Sequence, residues 1–116
     1  MLKITIYYNP DCSKCRQTLQ LINSKTDDDV QLIKYLDSPL TSDELNHITS
    51  MGIAAKDLIR THEEEWKTLG LDINESTPEV LINAIISHPS LLQRPIVLAN
   101  EKAVIARPPE RVLDIL

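Results

Sequence analysis

The alternation of hydrophobic and polar positions in the first third of the chain predicts a strand, a helix and a second strand. Apolar side chains recur at every second position over residues 2–7, which is typical of a half-buried strand. We place this first strand at about Lys3–Tyr7, the helix at about Ser13–Ser24 and the second strand at Val30–Tyr35. A β-α-β order joins two parallel strands by a right-handed crossover.

The middle of the chain, from about residue 40 to residue 90, is predicted to be a helical block. The signals are N-caps, closing glycines and a proline at a first helical position. They predict a helix from a Thr41/Glu44 capping box to about Met51–Gly52, short helices at Ala54–Arg60 and Glu63–Leu69 (closed by Gly70), and a helix capped by Ser76 or Thr77 with Pro78 first, which stops before Pro89.

Two short strands and a final helix are predicted at the C-terminal end. The strands are Ile96–Ala99 and Ala103–Ala106, the polar turn is residues 100–102, and the helix is Glu110–Leu116. The order β-α-β, helical block, β-β-α is the thioredoxin topology with helices inserted between its halves. We therefore predict an α/β, thioredoxin-like fold in which a mixed four-stranded sheet carries an inserted helical subdomain at about 40–90, within a single domain of residues 1–116.

Composition and charge argue against some classes of function. The chain has 116 residues with 42% apolar side chains and no Phe, so Leu and Ile are expected to fill the core. A net charge of −5 argues against a nucleic-acid binder and against binding to an anionic membrane surface. Because the chain enters a strand at once, with no apolar signal region and no run of membrane-spanning length, we expect a cytoplasmic protein. No large exposed apolar face is evident, so a monomer is expected.

The strongest chemical signal is the Cys-x-x-Cys of Cys12 and Cys15, placed between the first strand and the first helix. The free N–H groups and the dipole at a helix N-terminus stabilise a thiolate. Cys12, surrounded by turn and cap residues, is therefore the candidate nucleophile. A zinc site is disfavoured because it needs further ligands, and the three histidines stand alone at non-ligand spacings. We predict no metal and no bound cofactor.

Cys15 has two interpretations on spacing alone. It lies one turn into the helix on the same face as Cys12, so it is a candidate resolving thiol that would close a disulfide. The alternative is a small thiol where Ser would serve equally, giving a weak hydrogen bond to the Cys12 sulfur. The spacing does not decide between them.

The arginines are the second signal, because an acidic chain that gathers cations needs a local reason for it. Arg94 and Arg107 flank the late strands, and Arg60 ends an inserted helix. In thioredoxin-like folds the loop before the third strand faces the reactive cysteine and carries a proline, here Pro95, which is the candidate for a cis peptide. A guanidinium beside that loop suits a tetrahedral oxyanion, because its fork binds two oxygens at once.

Four segments together resemble a known family. They are Tyr7-Tyr8-Asn9-Pro10-Asp11-Cys12, Leu58-Ile59-Arg60, Leu92-Gln93-Arg94-Pro95-Ile96-Val97 and Ala106-Arg107-Pro108-Pro109. In order and spacing they are similar to the glutaredoxin-dependent arsenate reductases, and to a short bacterial type within that family. The resemblance covers essentially the whole chain.

This resemblance implies specific roles. Cys12 matches the nucleophile that attacks arsenate, and Arg60, Arg94 and Arg107 match the arginines that hold the oxyanion and stabilise the thiolate. Glutathione is implied as co-substrate and glutaredoxin as the partner that removes it, with arsenic leaving as As(III). Two positions differ from the longer reductases: Tyr8 stands where they have His, and Cys15 where they have Ser or a similar hydroxyl.

Two other classes of protein fit the same fold. Spx-type regulators carry a Cys-x-x-Cys redox switch and bind RNA polymerase, and a general thiol-disulfide oxidoreductase would act on glutathionylated partners. A switch needs its disulfide and a docking surface, but it has no need of Arg60, Arg94 and Arg107 together. The full arginine set therefore favours the enzyme.

Overall fold

The computed structural model of the chain describes residues 4–116, which form two compact units. The first comprises residues 4–38 and 94–116 and contains the strands; we call it the sheet unit. The second, residues 39–93, is the helical unit.

The sheet unit contains a mixed four-stranded sheet in the order β2-β1-β3-β4. β1 pairs with β2 in parallel, whereas β1–β3 and β3–β4 are antiparallel. The prediction of a thioredoxin-like α/β fold with this sheet is confirmed. Its elements are β1 (Ile4–Tyr8), α1 (Ser13–Lys25), β2 (Val30–Lys34), β3 (Ile96–Ala99), β4 (Lys102–Ile105) and a 3₁₀ helix at Pro109–Asp114. The predicted start of the first strand, Lys3, lies outside the described residues.

The core of the sheet unit is aliphatic and lies where α1 and the C-terminal 3₁₀ helix pack together. Ile6 of β1 and Val97 of β3 are paired in register and fully buried. Ile22 of α1 and Val112 of the 3₁₀ helix are also fully buried in this cluster. Each such side chain contributes about 1.5–3 kcal/mol through burial, so this core fixes the end of β1 from which the Cys12 turn starts.

Local sequence signals predicted most of the helix ends in the helical unit. Thr41 accepts a hydrogen bond from the Glu44 N–H, and the Glu44 carboxylate accepts from the Thr41 N–H, so the capping box is confirmed. Gly52 and Gly70 have positive φ just after their helices, where a side chain would be strained. The elements are α2 (Ser42–Ser50), α3 (Glu64–Leu69), α4 (Pro78–Ser87, capped by Thr77), and 3₁₀ helices at Ala55–Leu58 and Pro89–Leu91.

Two predicted helices are 3₁₀ turns instead. The segments predicted as Ala54–Arg60 and Glu110–Leu116 form 3₁₀ helices at Ala55–Leu58 and Pro109–Asp114. Segments this short close only a turn or two, and i→i+3 bonds are common in such pieces. The last strand also starts and ends one residue earlier than predicted, at Lys102–Ile105. Within residues 4–116, no helix has the length and apolar character needed to cross a bilayer.

Candidate active site

The turn between β1 and α1 fixes the position of Cys12. Cys12 is the N-cap of α1, with extended backbone angles of φ −95° and ψ 119°, and its carbonyl accepts the first helical bond from Arg16 at 3.1 Å. Before it, the Cys12 N–H donates to the Asn9 carbonyl at 3.0 Å, and the Asn9 side chain accepts from the Asp11 N–H at 2.9 Å. These bonds hold the thiol in a defined place, with 7% of its residue surface exposed.

The surroundings of Cys12 favour its thiolate. Burial opposes ionisation, but the backbone N–H of Cys15, the Arg94 guanidinium and the Cys15 thiol all interact with the sulfur. Together with the positive charge of Arg94, they lower the pKa of Cys12 to about 7. A substantial fraction of the sulfur is therefore ionised at neutral pH, which is the condition for nucleophilic attack.

Cys15 is held in the opposite protonation state. Its side chain has no exposed surface, and its sulfur accepts a hydrogen bond from the Asn9 N–H at 3.5 Å. Burial raises the pKa of Cys15 to about 12, and the neighbouring Cys12 sulfur adds to this because two thiolates repel each other. Both cysteines are free, so Cys15 is a protonated thiol able to donate to the Cys12 sulfur.

Arg94 and Arg107 bring two guanidinium groups to the Cys12 turn. The Nη2 of Arg107 lies 3.7 Å from the Cys12 Sγ. The Nε of the same residue donates to the Arg94 carbonyl at 2.7 Å, so the backbone before β3 orients the cation. The Arg94–Pro95 peptide bond is cis, and the sequence had marked Pro95 as the candidate for such a bond. The Arg107–Pro108 bond is also cis.

Tyr35 is a site residue that the sequence reasoning assigned only to a strand. It lies immediately after β2, is completely buried, and its phenol interacts with the Arg94 guanidinium. Burial lowers the pKa of Arg94, but the contacts with Cys12 and Tyr35 outweigh this effect and raise it. The sequence did contain a signal for this position. A tyrosine follows directly after a strand that runs parallel to the cysteine-bearing strand, so it lies at the same edge of the sheet as the cysteine turn.

Arg60 belongs to the helical unit, and its contacts there are with an acidic neighbour. Its Nη1 forms an ion pair with Glu63 at 3.1 Å, and its Nη2 lies 3.2 Å from the His62 Nε2. The backbone N–H of Arg60 donates to the Leu91 carbonyl at 2.8 Å, beside the antiparallel bridge of Ile59 with Leu92. Sequence analysis gave Glu63 only as the first residue of a short helix and missed this pairing.

The sheet unit thus brings together Cys12, Cys15, Arg94 and Arg107. A nucleophilic thiolate beside fixed cations can attack an electrophilic centre that carries anionic oxygens. Among residues 4–116 there is no group of three or more His, Cys, Asp or Glu side chains suited to a metal ion.

Comparison with known sequences gives full-length relatives. A family model described as the ArsC family matches residues 7–115. An arsenate reductase from Neisseria meningitidis serogroup A is 41% identical over 118 residues, which cover 100% of both chains. The Escherichia coli K12 protein named YfgD is 39% identical and covers 98% of this chain and 97% of its own. An arsenate reductase from the same strain is 42% identical over 100% of this chain and 82% of its own length.

Comparison with solved structures gives the same grouping. The structure of an arsenate reductase from Vibrio cholerae superposes with a TM-score of 0.91 at 38% identity, covering 99% of this chain and 98% of that one. The resemblance to the family, including its short type, is therefore confirmed.

Proposed function

The chain belongs to the ArsC family, and we propose that it is an arsenate reductase that uses glutathione and glutaredoxin as reductants. The observation that carries the proposal is the Cys12 thiol, whose pKa is lowered to about 7 beside Arg94 and 3.7 Å from Arg107. Relatives named arsenate reductase, aligned over the full chain, supply the substrate.

Binding of the oxyanion is assigned to the guanidinium groups. Arg94 and Arg107 are held by neutral acceptors, the Tyr35 hydroxyl and the Arg94 carbonyl, so their charge is not cancelled by these contacts. A guanidinium binds two oxygens of a tetrahedral anion at once. The same cations offset the negative charge of the approaching arsenate, which would otherwise repel the thiolate.

The first chemical step joins sulfur to arsenic. The Cys12 thiolate attacks As(V), one arsenate oxygen takes up protons and leaves as water, and a Cys12–S–As(V) bond replaces the As–O bond. No electrons are transferred to arsenic in this step. The cations contribute by stabilising negative charge on the remaining oxygens.

Reduction follows when two external thiols are consumed. Glutathione replaces a second oxygen on arsenic with loss of water. A glutaredoxin thiolate then attacks the glutathione sulfur and forms a mixed disulfide, and the electron pair of the broken As–S bond stays on arsenic. Two thiols are thereby oxidised and As(V) becomes As(III), which water releases from Cys12 as arsenite.

Cys15 is assigned a supporting role. At neutral pH its pKa of about 12 keeps it protonated, and attack on a Cys12 adduct would first require removal of that proton. A buried S–H beside the Cys12 sulfur instead acts as a hydrogen-bond donor, as a Ser hydroxyl would. This favours glutathione over an internal disulfide as the source of the second thiol.

The role of Arg60 as a third oxyanion ligand rests on the family resemblance, and we retain it as a proposal. A reaction that consumes reduced thiols also suits the cytoplasm, where thiols are kept reduced. We expect the protein to act as a monomer, with glutaredoxin as a transient partner.

The test is arsenite formation from arsenate by the purified protein with glutathione and glutaredoxin, with parallel reactions of Cys12→Ser and Cys15→Ser. We expect turnover by the wild type and by Cys15→Ser, none by Cys12→Ser, and none when glutaredoxin is left out. Turnover that disappears in Cys15→Ser would instead make Cys12 and Cys15 the working redox pair. Absence of turnover in the wild type would reject arsenate reduction and favour thiol exchange or the Spx-type switch.

A further inference from the structure

Tyr35 and Arg94 lie at the same edge of the sheet, on opposite sides of β1. In the parallel pair Tyr8 is in register with Lys34, so Tyr35 is the first residue beyond the carboxyl end of β2. In the antiparallel pair Tyr7 is in register with Ile96, so Arg94 lies beyond the same edge, just before β3. The chain that leaves β1 between them forms the Cys12 turn.

The two side chains together span the end of β1. β2 and β3 are separated by β1, and two strand spacings amount to about 10 Å. The Tyr35 phenol and the Arg94 guanidinium interact across this gap. Because a guanidinium has only donors, the phenol oxygen is the acceptor.

Packing alone does not explain why the buried side chain at position 35 carries a hydroxyl group. Tyr35 is completely buried and is the largest of the fully buried side chains among residues 4–116. A buried hydroxyl that lacks a partner destabilises a protein by about 1–3 kcal/mol, so Phe would suit a purely apolar position better. The position of the hydroxyl next to Arg94 gives it a partner and gives the cation an anchor.

We propose that Tyr35 is a positioning residue, which holds the Arg94 guanidinium beside the Cys12 sulfur and so maintains the reactive thiolate. It acts through Arg94, and through the Arg94 backbone it supports Arg107, whose Nε donates to the Arg94 carbonyl at 2.7 Å. A neutral acceptor is suited to this purpose, because it fixes the cation without cancelling its charge. The extension to arsenate binding rests on the proposed function, whereas the effect on Cys12 does not.

The test compares Tyr35→Phe, Arg94→Ala and the double variant with the wild type. The readout is the rate of Cys12 alkylation by the neutral reagent iodoacetamide across pH, followed by mass spectrometry of the Cys12 peptide. We expect Tyr35→Phe to raise the pKa of Cys12 by about one unit, because the released guanidinium turns away from the sulfur. Well below that pKa, alkylation should then be about tenfold slower.

The double variant distinguishes positioning from a general structural effect. If Tyr35 acts through Arg94, adding Tyr35→Phe to Arg94→Ala should leave the pKa of Cys12 where Arg94→Ala alone puts it. A Tyr35→Phe protein that keeps the wild-type pKa of Cys12, or a shift of equal size in both backgrounds, would overturn the proposal. Thermal unfolding of each variant verifies that the comparison is made on folded protein.

The same variants separate this proposal from the arsenate reductase assignment. Alkylation involves no arsenate, so a coupled shift in the pKa of Cys12 supports Tyr35 as a positioning residue whatever the substrate. If arsenate is reduced, Tyr35→Phe should also raise KM for arsenate severalfold. An unchanged KM beside a shifted pKa would overturn the extension to the oxyanion and leave the effect on Cys12 in place.

Discussion

The arginines of the sheet unit and the arginine of the helical unit are held by different kinds of partner. Arg107 donates to a backbone carbonyl and Arg94 interacts with a tyrosine hydroxyl, and neither forms an ion pair with a carboxylate within residues 4–116. Arg60 is paired with the Glu63 carboxylate at 3.1 Å. The family resemblance implies the same role for all three, but their electrostatic situations differ.

The difference shows how one residue type can be used in two ways. A neutral acceptor fixes a guanidinium and leaves its positive charge to act on the Cys12 thiolate and on an incoming anion. A carboxylate also fixes a guanidinium, but it offsets the charge and competes with any other anion for the same N–H groups. We therefore expect the cations of the sheet unit to dominate catalysis, with a contribution from Arg60 that Glu63 reduces.

Among the substitutions that compare the arginines, the largest effect should come from Arg94→Ala. The change removes one of the two cations beside the Cys12 sulfur, the one that lowers its pKa, and with it one side of the proposed oxyanion site. Loss of one such stabilising group typically lowers the rate by about 10²–10³-fold. We expect a decrease of this size in kcat/KM for arsenate, together with a higher pKa of Cys12, measured by steady-state kinetics and by thiolate absorbance against pH.

Arg111→Ala is the matched control for this prediction. Arg111 is an exposed arginine on the C-terminal 3₁₀ helix of the same unit, so the net charge of the protein changes by the same amount. Its activity should stay near that of the wild type. Equal losses in the two variants would mean that Arg94 acts only through the overall charge.

The pH dependence of Cys12 should reflect the cations around it. The pKa of Cys12 is lowered to about 7 and the reactive form is the thiolate, so alkylation should rise about tenfold per pH unit below 7 and level off above it. In Arg94→Ala the rise should continue to higher pH, because the favourable charge is missing. A wild-type profile that reaches its plateau only at the pH of an ordinary thiol would contradict the assigned environment.

A smaller effect is expected from Glu63→Gln in the helical unit. If Arg60 contacts the oxyanion, as the family resemblance implies, removing the Glu63 charge frees its guanidinium for the substrate. The two side chains are 12% and 31% exposed, and ion pairs near the surface contribute about 0–1 kcal/mol, so KM for arsenate should fall by no more than about fivefold. Steady-state kinetics at fixed glutathione and glutaredoxin concentrations would measure this change.

Glu64→Gln provides the comparison for Glu63→Gln. Glu64 is the adjacent acidic residue, it pairs with Lys67 at 3.5 Å, and its side chain is 88% exposed. Its replacement changes the net charge equally without altering the partner of Arg60. The same fall in KM in both variants, or no fall in either, would remove the argument that Glu63 restrains Arg60.

Local signals in the sequence predicted most of the fold, because the interactions behind them involve neighbouring residues. The capping box of Thr41 and Glu44 spans three positions, and Gly52 and Gly70 each close the helix directly before them. By contrast, the sequence did not distinguish a 3₁₀ helix from an α-helix at residues 109–114. Over so short a segment both use the same residue types, and the packing around them selects the form.

The residues of the candidate site also fall into two groups: those identified by their neighbours in the sequence, and those brought together only by the fold. Cys12 could be identified because its turn and cap residues are adjacent to it. Local pattern could not place Arg107 beside Cys12, because the contact joins positions 95 residues apart, and only the family resemblance implied it. Tyr35 was missed because it meets Arg94 only through the register of three strands. Glu63 was missed for another reason: three consecutive acidic residues at a helix start suggest solvation, and nothing in their order indicates which one turns toward Arg60.

Thr41→Ala should have the smallest effect on the chemistry of Cys12. The substitution is expected to lower the stability of the helical unit, to which Cys12 does not belong. The substitution removes the hydroxyl that accepts from the Glu44 N–H at 3.2 Å and leaves the N-terminus of α2 without its cap. Loss of an N-cap typically lowers the free energy of unfolding by about 1 kcal/mol. Urea denaturation should show this decrease, whereas Ser42→Ala, an exposed neighbour one position into the helix, should change the free energy by less than about 0.5 kcal/mol.

Thr41→Ala is informative because it should leave the pKa of Cys12 unchanged. The thiolate is maintained by groups of the sheet unit, so the pKa of Cys12 should remain about 7 in the folded variant even though α2 is less stable. Alkylation at low denaturant concentration, where the protein remains folded, would measure this directly. A shifted pKa would mean that the helical unit contributes to the environment of Cys12, and the contrast between the two sets of arginines would then have to be explained by both units together.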